Sequence, residues 1–374
     1  MKKIKLISVL GTRPEIIRLS RITPLLDKHF DHKLIYTNQN YDHELSTIFF
    51  QELNLRTPDK TLQVRGNSLA ESIANILKQT EEVFLEEKPD ALLVLGDTNS
   101  SLCSIIAKRL GIFIFHMEAG NRSFDDNVPE EINRRIIDHT SDINLAYSEV
   151  ARRNLLHEGV PAGSIYVTGS PMAEVIKHFI KDIEASPILS KLGIARNKYF
   201  LLSMHREENI DNPDRLHELL ASMEQIVVKH NLPLIVSLHP RTKKKLSDED
   251  IMNKLHPLIQ LSKPFGFFDY VQLQKNALCV LSDSGSIPEE ASIIGFKAVQ
   301  IRVSTERQEA YDKGSIILSG FNRNSILNAV EISLSIDEPF ADVPDYSDTN
   351  VSAKVTKLIH GLTSIKKYNG RLYY

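Results

Sequence analysis

Six stretches of this chain set charged or hydroxyl-bearing residues just beyond a short aliphatic run. Gly11-Thr-Arg-Pro-Glu15 follows Leu10, and Gly96-Asp-Thr98 follows Leu95. His116-Met-Glu-Ala-Gly-Asn-Arg122 follows Phe115, with Pro129-Glu-Glu131 close behind. His205-Arg-Glu-Glu-Asn209 lies beyond Ser203, His239-Pro-Arg241 after Leu238, and Asp283-Ser-Gly-Ser286 beyond Leu281. Taken singly, each has a plain structural reading: Asp97 as a helix cap, Glu118 as a solvated acid, His205 as a core-edge histidine. Together they set Asp, Glu, His and Arg at successive strand ends, which points to acid–base chemistry around a charged, phosphate-containing ligand. Ser284-Gly285-Ser286 joins the apolar run Ala277–Leu281 to a helix-like Pro288-Glu-Glu start. Free N–H groups and a helix dipole favour an anion at such a junction; a capped tight turn is the alternative.

Other chemistries lack their signatures. No GxGxxG follows a strand, so a nicotinamide or flavin is not expected, and no GxxxxGK[ST] loop is present. HExxH and similar metal spacings are missing, and Ser284 is not in a GxSxG elbow. The expected inventory is therefore no cofactor and no metal.

The elements that must position these residues alternate. Strands are predicted at Lys5–Leu10, Lys33–Thr37, Ala91–Leu95, Ile112–His116, Ile143–Ala146, Tyr199–Ser203, Leu234–Ser237, Ala277–Leu281 and Ala298–Ile301. Helices are predicted at Ile16–Lys28, Leu69–Glu87, Ser100–Leu110 and Asp214–His230. Buried strands alternating with helices make an α/β protein with parallel sheets and helices on both faces. A chain of 374 residues is too long for one ordinary core. The expected domains are 1–170 and 171–349, with the helical tail 350–374 a candidate to pack back on the first. The site is expected in the cleft between them, at the carboxyl ends of the strands.

Bulk properties narrow the partners. The net charge of −3 gives no basic field for nucleic acid, and no apolar segment reaches membrane-spanning length. The opening Met1-Lys-Lys leads into a strand-like run rather than a signal peptide, so a cytoplasmic protein is expected. Cys103 and Cys279 stand in apolar contexts and read as buried thiols.

The strand-end motifs, with Pro129-Glu-Glu-Ile-Asn-Arg134, Asp283-Ser-Gly-Ser-Ile-Pro-Glu-Glu290 and Ser304-Thr-Glu-Arg-Gln-Glu309, resemble the UDP-N-acetylglucosamine 2-epimerase family, in order from Lys5 to Lys357. That resemblance implies two Rossmann-like domains in the glycosyltransferase-B architecture, a homodimer, and no redox cofactor. It also implies elimination of UDP across C1–C2 to a 2-acetamidoglycal, then re-addition with inverted C2. Carried over by motif, Asp97, Glu118 and Glu130 are the acid–base carboxylates, and His205 contacts the leaving diphosphate or sugar. Arg13, Ser284, Gly285 and Ser286 meet the phosphates, and Glu290 meets the ribose. Arg18 replaces a usual lysine near the active site, and Phe267 and Tyr270 fall where uracil is received. Several positions depart from the family pattern. Glu207 replaces an arginine, Asn121 a common leucine and Pro288 a common glutamine, and the Glu118–Glu130 loop is two residues shorter. These look closer to the branch that makes UDP-N-acetyl-L-fucosamine from UDP-2-acetamido-2,6-dideoxy-L-talose for capsule or O-antigen.

Overall fold

The computed structural model describes residues 3–39, 43–204, 212–238, 255–337 and 342–369. Its contacts divide the chain into two units, Met1–His178 with Pro344–Tyr374, and Phe179–Val343. Each is an α/β unit built on one parallel sheet.

In the first unit the strands are β1 (Lys5–Leu10), β2 (Asp31–Tyr36), β3 (Lys60–Thr61), β4 (Ala91–Leu95), β5 (Phe113–Ala119), β6 (Ile143–Ala146) and β7 (Ile165–Val167). Their order is β3-β2-β1-β4-β5-β6-β7, and the paired strands run parallel. The second unit holds β8 (Phe200–Met204), β9 (Leu234–Leu238), β10 (Ile259–Ser262), β11 (Cys279–Ser282), β12 (Ala298–Gln300) and β13 (Ile317–Leu318). These are ordered β10-β9-β8-β11-β12-β13, again parallel. In both sheets the winding reverses once, between β1 and β4 and between β8 and β11. Crevices for ligands open at the carboxyl end of such a reversal.

The unbroken apolar runs follow from burial on both faces. In the second sheet Phe200, Leu202 and Met204 pack into one core with Leu234, Val236, Leu281 and helix residues Met223, Ile226 and Val330. The intervening Leu201, Ile235 and Val280 face the opposite core with Leu273, Ile287 and Ala291. Alternation puts successive side chains on opposite faces, and apolar helices cover both.

Several predicted elements change shape. The single helix expected over Ile16–Lys28 is two, Arg13–Leu19 and Thr23–His29. Pro24 cannot donate to the Ser20 carbonyl and its ring would clash there, so the helix stops and restarts with Pro24 in a first turn. The stretch expected as a helix from Ser100 opens as a 3₁₀ turn, Asn99–Cys103, before the helix Ser104–Arg109. There Ser101 Oγ bonds the Leu95 carbonyl at 3.1 Å and Ser100 Oγ meets Thr37 Oγ1 at 2.6 Å, tying the turn to the sheet. The terminal helix Val351–Asn369 packs within the first unit: Ser352 N–H donates to Glu174 Oε2 at 2.8 Å and Lys354 Nζ to the Thr168 carbonyl at 3.2 Å. No helix among the described residues is long and apolar enough to cross a membrane. Cys103 and Cys279 are both free and buried.

Candidate active site

At the reversal of the first sheet, the turn after β1 leads into the helix Arg13–Leu19 and the turn after β4 carries Asp97 and Thr98. Glu15 ties the two together. It is 2% exposed, its Oε2 accepts the N–H groups of Gly11 (2.5 Å) and Thr12 (2.7 Å), and Thr98 Oγ1 donates to its Oε1 at 2.7 Å. Burial pushes its carboxyl up to about 7, against the pull of the Thr98, Gly11 and Thr12 hydrogen bonds. Arg13 is half-buried at the helix start, its guanidinium 5.8 Å from the Phe49 ring centre. Arg18 is buried one turn further along.

Glu118 owes its position to a defect in β5. The β5–β6 register slips between Met117 and Ala119, and Glu118 sits at φ +67°, in the left-handed region. A bulge re-aims the side chain it carries, and a non-glycine residue held there costs on the order of 1–3 kcal/mol. Arg18 Nη1 lies 3.6 Å from Glu118 Oε2, and Asn121 Nδ2 donates to Oε1 at 3.3 Å. Glu118 Oε2 also lies over Gly96, 3.6 Å from where a β-carbon would be. The structure thus brings Arg18 and Glu118 together.

Asp97 is held from the helix Pro129–Thr140. Arg134 donates to Asp97 Oδ2 from Nε (2.8 Å) and Nη2 (2.7 Å), and Asn133 Nδ2 to the Asp97 carbonyl (2.9 Å). The adjacent glutamates of that helix differ sharply. Glu131 is fully buried and accepts Ser123 N–H (3.1 Å), Phe124 N–H (3.3 Å) and Arg134 Nη1 (2.8 Å), so it anchors the loop after β5. Burial opposes its charge, yet the Ser123 and Arg134 bonds outweigh this and hold its carboxyl below the usual range. Glu130 is half-buried, and its Oε2 is shielded from solvent with no hydrogen-bond partner among the described residues. Such an oxygen carries a desolvation cost that an arriving donor relieves.

In the second unit Ser284-Gly285-Ser286 joins β11 to the helix Ile287–Ile294. Ser286 is the N-cap residue, but its hydroxyl donates to Glu290 Oε1 at 2.7 Å instead of capping the helix. Ser284 Oγ lies 3.0 Å from Ser286 Oγ, and Ser284 N–H donates to Ser282 Oγ at 3.1 Å. Gly285 lets the Glu306 carboxylate come close: a β-carbon there would stand 2.0 Å from Glu306 Oε1. Phe267 and Tyr270 share the helix Phe267–Asn276, Phe267 buried and Tyr270 half-buried. From the same helix Gln274 Nε2 donates to Glu290 Oε2 at 2.5 Å, so the phosphate-loop, ribose and uracil candidates form one linked group. His205 and Glu207 lie outside the described residues.

Several residues of this neighbourhood went unremarked in the sequence. Gln300, fully buried, donates from Nε2 to the Ser284 carbonyl at 2.7 Å and accepts the Tyr311 hydroxyl, bracing the serine loop. Arg134 and Glu15 belong to the Pro129–Arg134 and Gly11–Glu15 motifs, but only their contacts reveal what they hold. Among the described residues no group of three or more His, Cys, Asp or Glu is placed to hold a metal ion.

Comparison with known proteins completes the picture. The sequence profile described as UDP-N-acetylglucosamine 2-epimerase matches residues 25–360. A solved UDP-N-acetylglucosamine 2-epimerase from Rickettsia bellii superposes with a TM-score of 0.91 at 43% identity, covering 98% of both chains. The Methanocaldococcus jannaschii UDP-GlcNAc 2-epimerase, solved with UDP-GlcNAc and UDP, gives 0.90 at 37% identity over 96% of this chain and 99% of that one. A Pseudomonas aeruginosa relative, 33% identical over 88% of this chain and 92% of its own, is named UDP-2,3-diacetamido-2,3-dideoxy-D-glucuronate 2-epimerase.

Proposed function

The chain belongs to the UDP-N-acetylglucosamine 2-epimerase family, and from that membership we propose which residues carry the reaction and on which sugar. It is an isomerase, a UDP-sugar 2-epimerase. The proposed chemistry removes the C2 proton and expels UDP from C1, leaving a 2-acetamidoglycal. UDP then returns to C1 while a proton is delivered to the opposite face of C2. Carboxylates that take and return protons are what this needs, and Asp97, Glu118 and Glu130 are assigned that work. Departing diphosphate charge is assigned to Arg13, to the Ser284-Gly285-Ser286 loop at its helix start, and to His205. Glu290 takes the ribose, and Phe267 and Tyr270 the uracil.

The observation that carries this reading is Glu118: a carboxylate on a left-handed bulge at the end of β5, with the Arg18 guanidinium 3.6 Å away. Strain of this kind persists where the surroundings over-determine it, typically at working sites.

For the sugar we propose UDP-2-acetamido-2,6-dideoxy-L-talose, converted to UDP-N-acetyl-L-fucosamine for capsular polysaccharide or O-antigen, by a cytoplasmic homodimer. What supports it is the sugar-side loop. Asn121 stands where leucine is usual, is buried, and donates to Glu118 itself. The second reading, UDP-N-acetylglucosamine to UDP-N-acetylmannosamine, is favoured by the names of the Rickettsia and Methanocaldococcus relatives. The Pseudomonas relative, at 33% identity, is named for a third sugar, so family membership alone does not fix the substrate.

Proton NMR in D₂O tests both levels, with each UDP-sugar offered separately. Deuterium entering C2 with a new epimer is expected, faster for the 6-deoxy sugar; faster turnover of UDP-N-acetylglucosamine overturns the substrate choice. Glu118→Gln is expected to lower turnover by about 100-fold or more at nearly unchanged UDP affinity. Equal loss of rate and UDP binding would remove Glu118 from proton transfer.

A further inference from the structure

One helix face in the first unit is charged where a core helix is normally apolar. Along Pro129–Thr140 the residues Glu131, Arg134 and Asp138 follow i, i+3, i+7 spacing and are all buried, at 0%, 4% and 1% exposure. Glu131 and Arg134 hold the loop after β5 and Asp97, as described. Asp138, two turns after Glu131, has a different set of partners. Its Oδ1 lies 2.8 Å from His116 Nδ1, and its Oδ2 takes Arg122 Nη1 at 2.7 Å and Gly120 N–H at 3.2 Å. The far ring nitrogen, His116 Nε2, is 3.0 Å from the Gly96 carbonyl. Arg122 is itself forked onto Glu158, Nε to Oε1 at 2.8 Å and Nη2 to Oε2 at 2.5 Å.

These contacts land on particular backbone atoms. Gly96 immediately precedes Asp97, and Gly120 follows Glu118 by two residues. His116 and Asp138 therefore connect the turn that carries one assigned carboxylate to the bulge that carries the second. They fasten both to the helix that carries the third, Glu130. Burial works against charge on Asp138, but the His116 bond and the His116 and Arg122 charges outweigh it, holding its carboxyl below the usual range. Keeping charged groups inside the fold is expensive unless each is paired, and here each is. A stability role alone is served as well by apolar residues of similar volume; fixing two loops against one another needs directional bonds.

We propose that His116 and Asp138 are positioning residues for the epimerisation, a buried clamp that sets the Gly96–Asp97 turn, the Glu118–Gly120 bulge and the Glu130 helix in mutual register. The proposal rests on the assignment of Asp97, Glu118 and Glu130 made above. Neither residue is placed against substrate. The clamp bonds none of the residues assigned to UDP, of which all but Arg13 lie in the second unit, so its loss should be felt in turnover more than in UDP affinity.

Two half-replacements of the ring separate its ends. In His116→Asn the amide nitrogen stands near Nδ1, keeping Asp138 and releasing the Gly96 carbonyl; in His116→Gln it stands near Nε2, keeping Gly96. A displacement of about 1 Å at reacting groups costs about 100-fold. His116→Asn is therefore expected to lower kcat about 100-fold, with KM and the Kd for UDP within about threefold of wild type, whereas His116→Gln recovers kcat to within about tenfold of wild type. Turnover by folded His116→Asn within threefold of wild type overturns the proposal, as does a parallel fall of kcat and UDP affinity. If His116→Asn does not fold, Asp138→Asn carries the test. It exchanges one carboxylate oxygen for an amide nitrogen, losing either the His116 bond or those of both Arg122 and Gly120, and unchanged turnover there overturns the clamp equally. C2 deuterium exchange by wild type is measured in the same series. Its absence refutes the epimerase assignment itself, while an active wild type beside an equally active His116→Asn refutes only the clamp.

Discussion

Replacing Gly120 by alanine separates backbone conformation from packing in a way the structure makes quantitative. Gly120 has φ +82°, and a β-carbon built on it would stand 2.3 Å from the Ala151 carbonyl oxygen, 2.8 Å from its carbon and 2.9 Å from Leu155 Cγ. Carbon–oxygen contacts settle at about 3.3 Å or more, so the loop or the helix Glu149–His157 must give by about 1 Å. The obstacle is backbone and cannot swing aside. Overpacking of this kind costs about 1–3 kcal/mol, and the left-handed conformation about 1–2 kcal/mol more for any residue with a β-carbon. Gly111→Ala is the matched control: φ is +74° and nothing lies within 4 Å of its β-carbon. It carries the conformational cost alone, and the entropy lost from the unfolded chain is the same in both variants. Gly120→Ala should therefore be about 1–3 kcal/mol less stable than Gly111→Ala. With 11 tyrosines and no tryptophan, urea unfolding is followed by tyrosine fluorescence and far-ultraviolet circular dichroism. Both glycines lie in the first unit, so one transition serves both. Equal destabilisation of the two variants refutes the close approach of Gly120 to the helix.

Glu15 gives a pH dependence with a definite sign. Its carboxyl is raised from 4.5 to about 7 in the folded chain, so between those values the folded state binds more protons than the unfolded one. Stability from this group is full below about 4.5 and is lost as pH rises through about 7, by up to about 3 kcal/mol. In Glu15→Gln the amide oxygen can still accept Gly11 and Thr12, and its nitrogen can face Thr98; unfolding curves from pH 4.5 to 8 should flatten relative to wild type, and an unchanged slope would refute the assignment. Burial raises the Cys103 thiol well above its ordinary range and pushes Cys279 up to about 12, and neither residue is exposed. Ellman's reagent should find no reactive thiol in the native chain and both after denaturation; rapid native labelling would contradict the burial.

The central strands were legible because both faces of each sheet are covered, which writes burial into the sequence as unbroken aliphatic runs. Ala91–Leu95 and Ile143–Ala146 needed no adjustment. Three of the four sheet edges left no such mark: β3 is two exposed residues, and β10 and β13 are only partly buried. The strand-end pattern led to the neighbourhoods of Asp97, Glu118 and Ser284, since those types are conspicuous after apolar runs. It said nothing of what holds them. Nothing in Glu-Glu-Ile-Asn-Arg-Arg-Ile-Ile-Asp marks which charges turn inward, and only the fold shows that Glu131, Arg134 and Asp138 are buried. The bulge at Glu118 was equally silent, because register is a property of two strands and not of one.

The return of the terminal helix to the first unit has a consequence for the order in which the protein is made. Residues Phe179–Val343 form a contiguous unit, and all of them are synthesised before the terminal helix Val351–Asn369. The earlier-made first unit must wait: its sheet is complete after β7, but the partners of Glu174 and Thr168 arrive only with Ser352 and Lys354. The unit begun first is thus the last to close. A ribosome stalled short of Val351 would therefore leave the first unit without its final helix.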